Sequence, residues 1–193
     1  MRFESTYILK VKLKTGRIFN SFNFDIKQQQ MKKILAQYAA YNIWANQRMT
    51  DCISNLSDEQ INKEINSSFK SIYATLLHML DAENIWWQRI KLQEQIDVPS
   101  LNFKGSVLEL ASSLMKQSKQ WKEWVDLVTD AALEHEFIYR NTKKEQFKQP
   151  VCEVLLHLFN HQSYHRGQLI TMFRQVGLEQ VPNTDLIAFL RKK

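Results

Sequence analysis

Glycine and proline are scarce in this chain, four and three among 193 residues, so few sharp turns are punctuated and long uninterrupted stretches remain. Such stretches favour helices and exclude an all-β fold, which needs turn signals every roughly eight to twelve residues. The length suits one packed core, and 44% apolar against 24% charged residues is an ordinary globular balance. Two cysteines, Cys52 and Cys152, are too few for a disulfide scaffold and read as packing residues in a reducing, cytoplasmic setting. No run approaches the roughly 18 apolar residues of a membrane span, and the N-terminus lacks a secretory apolar segment.

The formal charge of +6 is unevenly placed. Residues 1–30 hold Arg2, Lys10, Lys12, Lys14, Arg17 and Lys27 against Glu4 and Asp25. The remainder is nearly balanced, so the body of the protein has no electrostatic footprint for nucleic acid. Tyr7 to Phe19 alternates apolar and basic residues around a Thr-Gly turn, and residues 1–30 stand apart as a hairpin, a tail or an upstream extension.

From Met31 a helical stripe begins: Ile34, Leu35, Tyr38, Tyr41, Ala45, Met49, Cys52 and Leu56 recur at three and four, predicting a helix to about Asn55. Ser57-Asp58 opens a polar linker. Ser67-Ser68 can cap a second helix from Phe69 to Gln93, which Pro99 closes off. A third helix follows Gly105 and ends near Thr129. Residues 135–147 place aromatic and β-branched residues on either side of Asn-Thr-Lys-Lys, predicting a small hairpin or extended loop. Pro150 suits the first turn of a fourth helix that reaches Val176 with Gly177 as its stop, and Asn183-Thr184 can cap a short helix through Leu190. Four long helices with a crossover between the third and fourth make an all-α four-helix bundle over residues 31–193.

His157, His161 and His165 follow one another at four-residue spacing in the fourth helix, on the same side as Val154, Leu158, Leu169 and Met172. Imidazoles buried beside aliphatic side chains must each find a partner or cost about 1–3 kcal/mol. A divalent ion meets that need, since His at i, i+4 supplies two ligands from one helix face. His161 and His165 are the expected pair, and the third ligand is His78, the only histidine inside another helix. Three imidazoles leave open coordination positions, as in catalytic sites. His157, one turn up, is expected behind the ligands, as is Gln168 on the same face; Trp86 is expected in the pocket wall, and His135 in solvent. Glu83 points about 140° away from His78, and Arg166 turns away from the His161 face toward a salt bridge. Glu-x-x-His, Cys-x-x-Cys, P-loop and Gly-x-Ser-x-Gly motifs are all missing.

Three stretches, YNIWAN (Tyr41 to Asn46), HMLDAENIWW (His78 to Trp87) and LLHLFNHQSYHRGQ (Leu155 to Gln168), resemble the DinB/YfiT-like family of metal-binding four-helix bundles. By position, the resemblance puts the metal ligands on His78, His161 and His165. It implies one zinc, nickel or similar ion, a homodimer, and chemistry on a low-molecular-weight thiol such as bacillithiol, mycothiol or glutathione. A metal-dependent thiol transferase acting on a small electrophile is therefore the leading expectation. The alternatives are a metal-dependent hydrolase and a non-enzymatic metal-binding stress-response protein. The basic segment before Met31 has no counterpart in that family.

Overall fold

The computed structural model describes residues 16–141 and 143–191. Four long helices form the bundle: α1 (Gly16–Ile53), α3 (Ile72–Ile90), α5 (Val107–Leu127) and α7 (Val151–Gln175). Between them lie α2 (Asp58–Asn62), α4 (Pro99–Asn102), α6 (Asp130–Glu134) and the hairpin β1 (Glu136–Arg140) and β2 (Gln146–Pro150), with α8 (Leu186–Leu190) at the end. No helix among the described residues is long and apolar enough to cross a membrane.

The expected helices are present with shifted edges. α1 begins at Gly16 rather than Met31. No proline interrupts the chain between Gly16 and Ile53, and the glycine that suggests a turn opens a helix instead. The alternation over Tyr7 to Phe19 lies mostly outside the described residues, and its described end, Gly16 to Phe19, is helical. The second long helix is capped by Ser71, whose side chain accepts from the Ala74 N–H, so Ser67 to Lys70 remain loop. Ser57 opens a helix where a linker was expected, because Ser57 and Gln60 form a capping box. Pro99 starts a short helix instead of only closing one. The final helix takes Asp185 at its N-cap without a side-chain capping bond, and Asn183 accepts the Asp185 N–H at 2.8 Å.

The hairpin is antiparallel, Glu136 opposite Pro150 and Arg140 opposite Gln146. α7 starts directly behind it and stops at Gly177, whose φ of 95° suits a residue without Cβ. The Leu178 N–H reaches Phe173 O at 2.9 Å and the Gly177 N–H reaches Arg174 O at 3.1 Å, the pair of bonds that closes a Schellman cap.

α1 packs along α5 and α7, and α3 packs along the same two helices, so the order around the bundle is α1–α5–α3–α7. α1 and α3 are diagonal, and so are α5 and α7. The expected crossover between the last two long helices is present, and residues 54–71 form a second one.

The core is layered. Met49, Ile53, Leu76, Leu110, Leu114, Leu169 and Phe173 form one apolar cluster, while Leu35, Trp121, Val125, Leu158 and Phe159 belong to another. Between the two on every long helix lies buried polar material: Asn42 and Asn46 on α1, Glu83 on α3, Ser118 on α5, Gln162 and Arg166 on α7. Of the expected stripe, Ile34 is exposed, while its neighbour Leu35 is buried in the core.

Candidate metal centre

α7 carries His161 and His165 one turn apart, and α3, its neighbour in the bundle, brings His78 to the same point. His78 Nε2 lies 3.1 Å from His161 Nε2, and His165 Nε2 lies 3.0 Å from it. The ring nitrogens of this trio fall within 4.8 Å of one another, and no carboxylate or thiol joins the group among the described residues. Imidazole nitrogens sharing one ion at about 2.1 Å stand roughly 3.0–3.4 Å apart, so the spacing suits a common cation.

Proton placement tests that fit. Gln168 Oε1 lies 2.7 Å from His165 Nδ1, which puts the His165 proton on Nδ1 and leaves a lone pair on Nε2. If His161 carries its proton on Nε2, that hydrogen faces two neighbouring nitrogens and can serve only one well. If the proton is on Nδ1, the Nε2 lone pairs of His161 and His165 face each other at 3.0 Å. A divalent cation turns the second arrangement from repulsive to favourable.

Electrostatics keep the rings neutral. Burial, reinforced by the neighbouring His165, lowers the His78 pKa to about 4. Burial and then the other three imidazoles bring His161 down to about 3. His165 is also lowered by burial, partly opposed by its bond to Gln168. At neutral pH all three rings are in the form that binds metal.

The walls come from residues on either side of the trio. Phe69 stacks on His78 with ring centroids 4.1 Å apart and meets His165 edge-on at 5.6 Å. Tyr164 stands edge-on to His165 at 5.0 Å. Gln168 Nε2 donates to Ser68 Oγ at 3.3 Å, tying the loop before α3 to α7. Gln168 thus sits behind a candidate ligand. His157 stays outside the trio, 5.9 Å from the His161 ring and edge-on to Trp86 at 5.8 Å. Trp86 packs against Tyr139 of the hairpin and under the Arg89 guanidinium, one residue removed from the trio through His157. His135 is exposed in the turn before β1. Phe69 is the contact that sequence reading overlooked: it looked like the first residue of a helix, and its only signal was a large aromatic in an otherwise polar loop.

Arg166 and Glu83 do turn away from the trio, into the polar layer. Arg166 is in no ion pair among the described residues, contrary to the expected salt bridge. Its Nη1 donates to Asn42 Oδ1 at 2.7 Å and Asn46 Oδ1 at 2.8 Å, and its Nη2 donates to Ser163 Oγ at 2.8 Å. Asn42 Nδ2 donates to Glu83 Oε1 at 2.8 Å, Asn46 Nδ2 to Ser118 Oγ at 3.1 Å, and Ser118 Oγ to the Glu83 carboxylate at 2.9 Å. The bonds close a ring across all four long helices. Burial pushes the Glu83 carboxyl up to about 7, against the pull of the Asn42 and Ser118 bonds and of Arg166.

A sequence profile described as the DinB family matches residues 28–193. Protein DinB of Bacillus subtilis is 32% identical over 166 residues, covering 78% of this chain and 90% of that protein. Among solved structures, a DinB-like protein of Bacillus cereus superposes with a TM-score of 0.62 at 24% identity, covering 77% of this chain and 94% of the other. YfiT of Bacillus subtilis, described as a probable metal-dependent hydrolase with an unusual four-helix bundle topology, gives 0.56 at 14% identity, with coverage of 78% and 87%.

Proposed function

The chain belongs to the DinB family, and on that footing we propose that it is a metal-dependent enzyme in which His78, His161 and His165 hold one divalent ion, zinc or nickel. The observation that carries this reading is the meeting of three neutral imidazoles at nitrogen spacings of 3.0 and 3.1 Å. An ion held there supplies Lewis acidity, which makes a bound thiol or water nucleophilic at neutral pH.

The chain's own groups define the rest. Gln168 fixes the His165 tautomer through Nδ1. Phe69 covers one flank of His78 and limits water there. Among the described residues the cluster contains no carboxylate to act as a general base beside the imidazoles. Water needs such a base more than a thiol does, because a thiol surrenders its proton readily. We therefore favour transfer of a low-molecular-weight thiol to a small electrophile, carried out by a cytoplasmic homodimer. Hydrolysis is the second reading, supported by the description of YfiT.

The test is elemental analysis of untagged protein, wild type beside His78→Ala. About one ion per wild-type chain, lost in the variant, supports the site. Absence of metal after incubation with zinc and nickel salts removes the enzyme reading. Loaded protein is then offered thiols with electrophiles, and separately activated esters and amides. Turnover of the first set alone supports transfer, turnover of the second supports hydrolysis, and turnover of neither supports a non-enzymatic metal-binding role.

A further inference from the structure

On the far side of α3 from the histidines, α3, α4 and α5 line an open cavity of about 520 Å³ that the metal reading does not use. Leu80 and Asn84 line it. Leu80 lies two positions beyond His78, about 200° around the helix, so the two sites open on different faces. The volume falls within the roughly 300–1,000 Å³ of small-molecule sites.

The outer wall is held in place from α3. The buried Gln88 amide clamps the backbone of Asp97, accepting its N–H at 2.8 Å and donating to its carbonyl at 2.7 Å. Asp81, also buried, accepts the Ser100 N–H at 2.8 Å and secures the start of α4. Two buried polar side chains thus fix the 97–103 segment over α5 without closing the space beneath it.

The lining has a definite chemistry. Lys116 and Asp97 face the cavity from opposite walls, and neither is in an ion pair among the described residues. Gln117 lines the inner wall at 7% exposure, and its Nε2 has no hydrogen-bond partner. A buried amide donor without a partner is uncommon and marks a place for an acceptor. Leu80 on α3 and Pro99 and Phe103 on the outer wall give the apolar part of the lining. A carboxylate answers Lys116 and Gln117, an ammonium answers Asp97, and an apolar side chain covers the apolar part.

We infer that the cavity between α3, α4 and α5 is a binding site for a small zwitterion of the amino-acid or dipeptide class, independent of the histidine site. The probe is L-leucine, titrated into full-length isotope-labelled protein while the Gln117 side-chain amide resonances are followed by NMR. N-acetyl-L-leucine and L-leucinamide serve as single-charge counterparts. The expected result is a saturable shift with L-leucine, at least tenfold weaker binding of either counterpart, and a similar weakening in Lys116→Gln and Asp97→Asn. Both substituted residues are exposed, so folding is retained, and His78→Ala binds L-leucine as wild type does. Equal binding of N-acetyl-L-leucine, unchanged binding in Lys116→Gln, or no saturable shift with any probe would overturn the assignment.

Discussion

Arg166 and Glu83 meet through Asn42, whose side chain accepts from the guanidinium at 2.7 Å and donates to the carboxylate at 2.8 Å. One amide thereby couples the two buried charges of the bundle's polar layer, and the same guanidinium also lies over the Tyr41 ring, 5.1 Å from its centroid. Removing the guanidinium strips hydrogen bonds from Asn42, Asn46 and Ser163 and takes a nearby positive charge from Glu83. Arg166→Met is expected to lose about 3–5 kcal/mol of stability, read from urea denaturation of the metal-free protein. Metal binding by any folded fraction should persist, since Arg166 touches none of the three imidazoles.

Stability should depend on pH in two opposing ways. The Glu83 carboxyl is raised from 4.5 to about 7, so the folded state holds a proton that the unfolded chain gives up across that window. Its contribution is greatest below pH 4.5 and declines as pH rises through 7. The His78 and His161 rings, lowered from 6.5 to about 4 and about 3, act in reverse. There the unfolded chain binds the extra protons, so stability is lost as pH falls below 6.5. Urea midpoints of metal-free protein between pH 4 and 8 check this. Glu83→Gln should remove the decline toward neutral pH and leave the acid-side loss, and any other pattern contradicts the assignment.

Metal should stabilise the folded chain by mass action. With free zinc at a hundred times its dissociation constant the gain is about 2.7 kcal/mol. The gain should vanish in His161→Ala and remain in His135→Ala and His157→Ala. A chelator titration monitored by thermal melting measures it, and a His161→Ala protein that keeps the full gain would remove that residue from the ligand set.

Phe69 shields His78 by stacking on its ring. Phe69→Ala is expected to lose about 0.5–1.5 kcal/mol from the stacked pair, plus part of the burial of a partly buried ring. It should also raise the His78 pKa back toward 6.5, because solvent reaches the ring. Histidine proton resonances followed against pH report the second effect. An unchanged His78 titration would mean that the ring's burial comes from elsewhere.

The histidine trio was legible because its spacing is a property of one helix face: His161 and His165 lie four apart, and only His78 occupied another helix. The long helices were legible for the same reason, through repeating apolar residues. The polar layer was not. Asn42, Asn46, Glu83, Ser118 and Arg166 interrupt apolar stripes singly, and each looks like a solvent-facing position until three other helices are in place around it. The final short helix was expected, but α2, α4 and α6 were not, because four or five residues are too few to show a period, although the Ser57 and Gln60 capping box is visible as a Ser-x-x-Gln spacing. Phe69 gave no periodic signal, because a loop residue has none.

The ring order α1–α5–α3–α7 also sets the sequence of events as the chain leaves the ribosome. α1 and α3 emerge first but lie diagonally, so neither can bury its stripe against the other. The first long partner to reach either of them is α5, which packs against both α1 and α3. α7, arriving last, joins α1 and α3 at once, closes both apolar clusters and brings two of the three imidazoles. Before residue 151 is made the metal centre cannot exist, and the faces of α1 and α3 that pack on α7 stay exposed, the kind of transient apolar surface that favours aggregation.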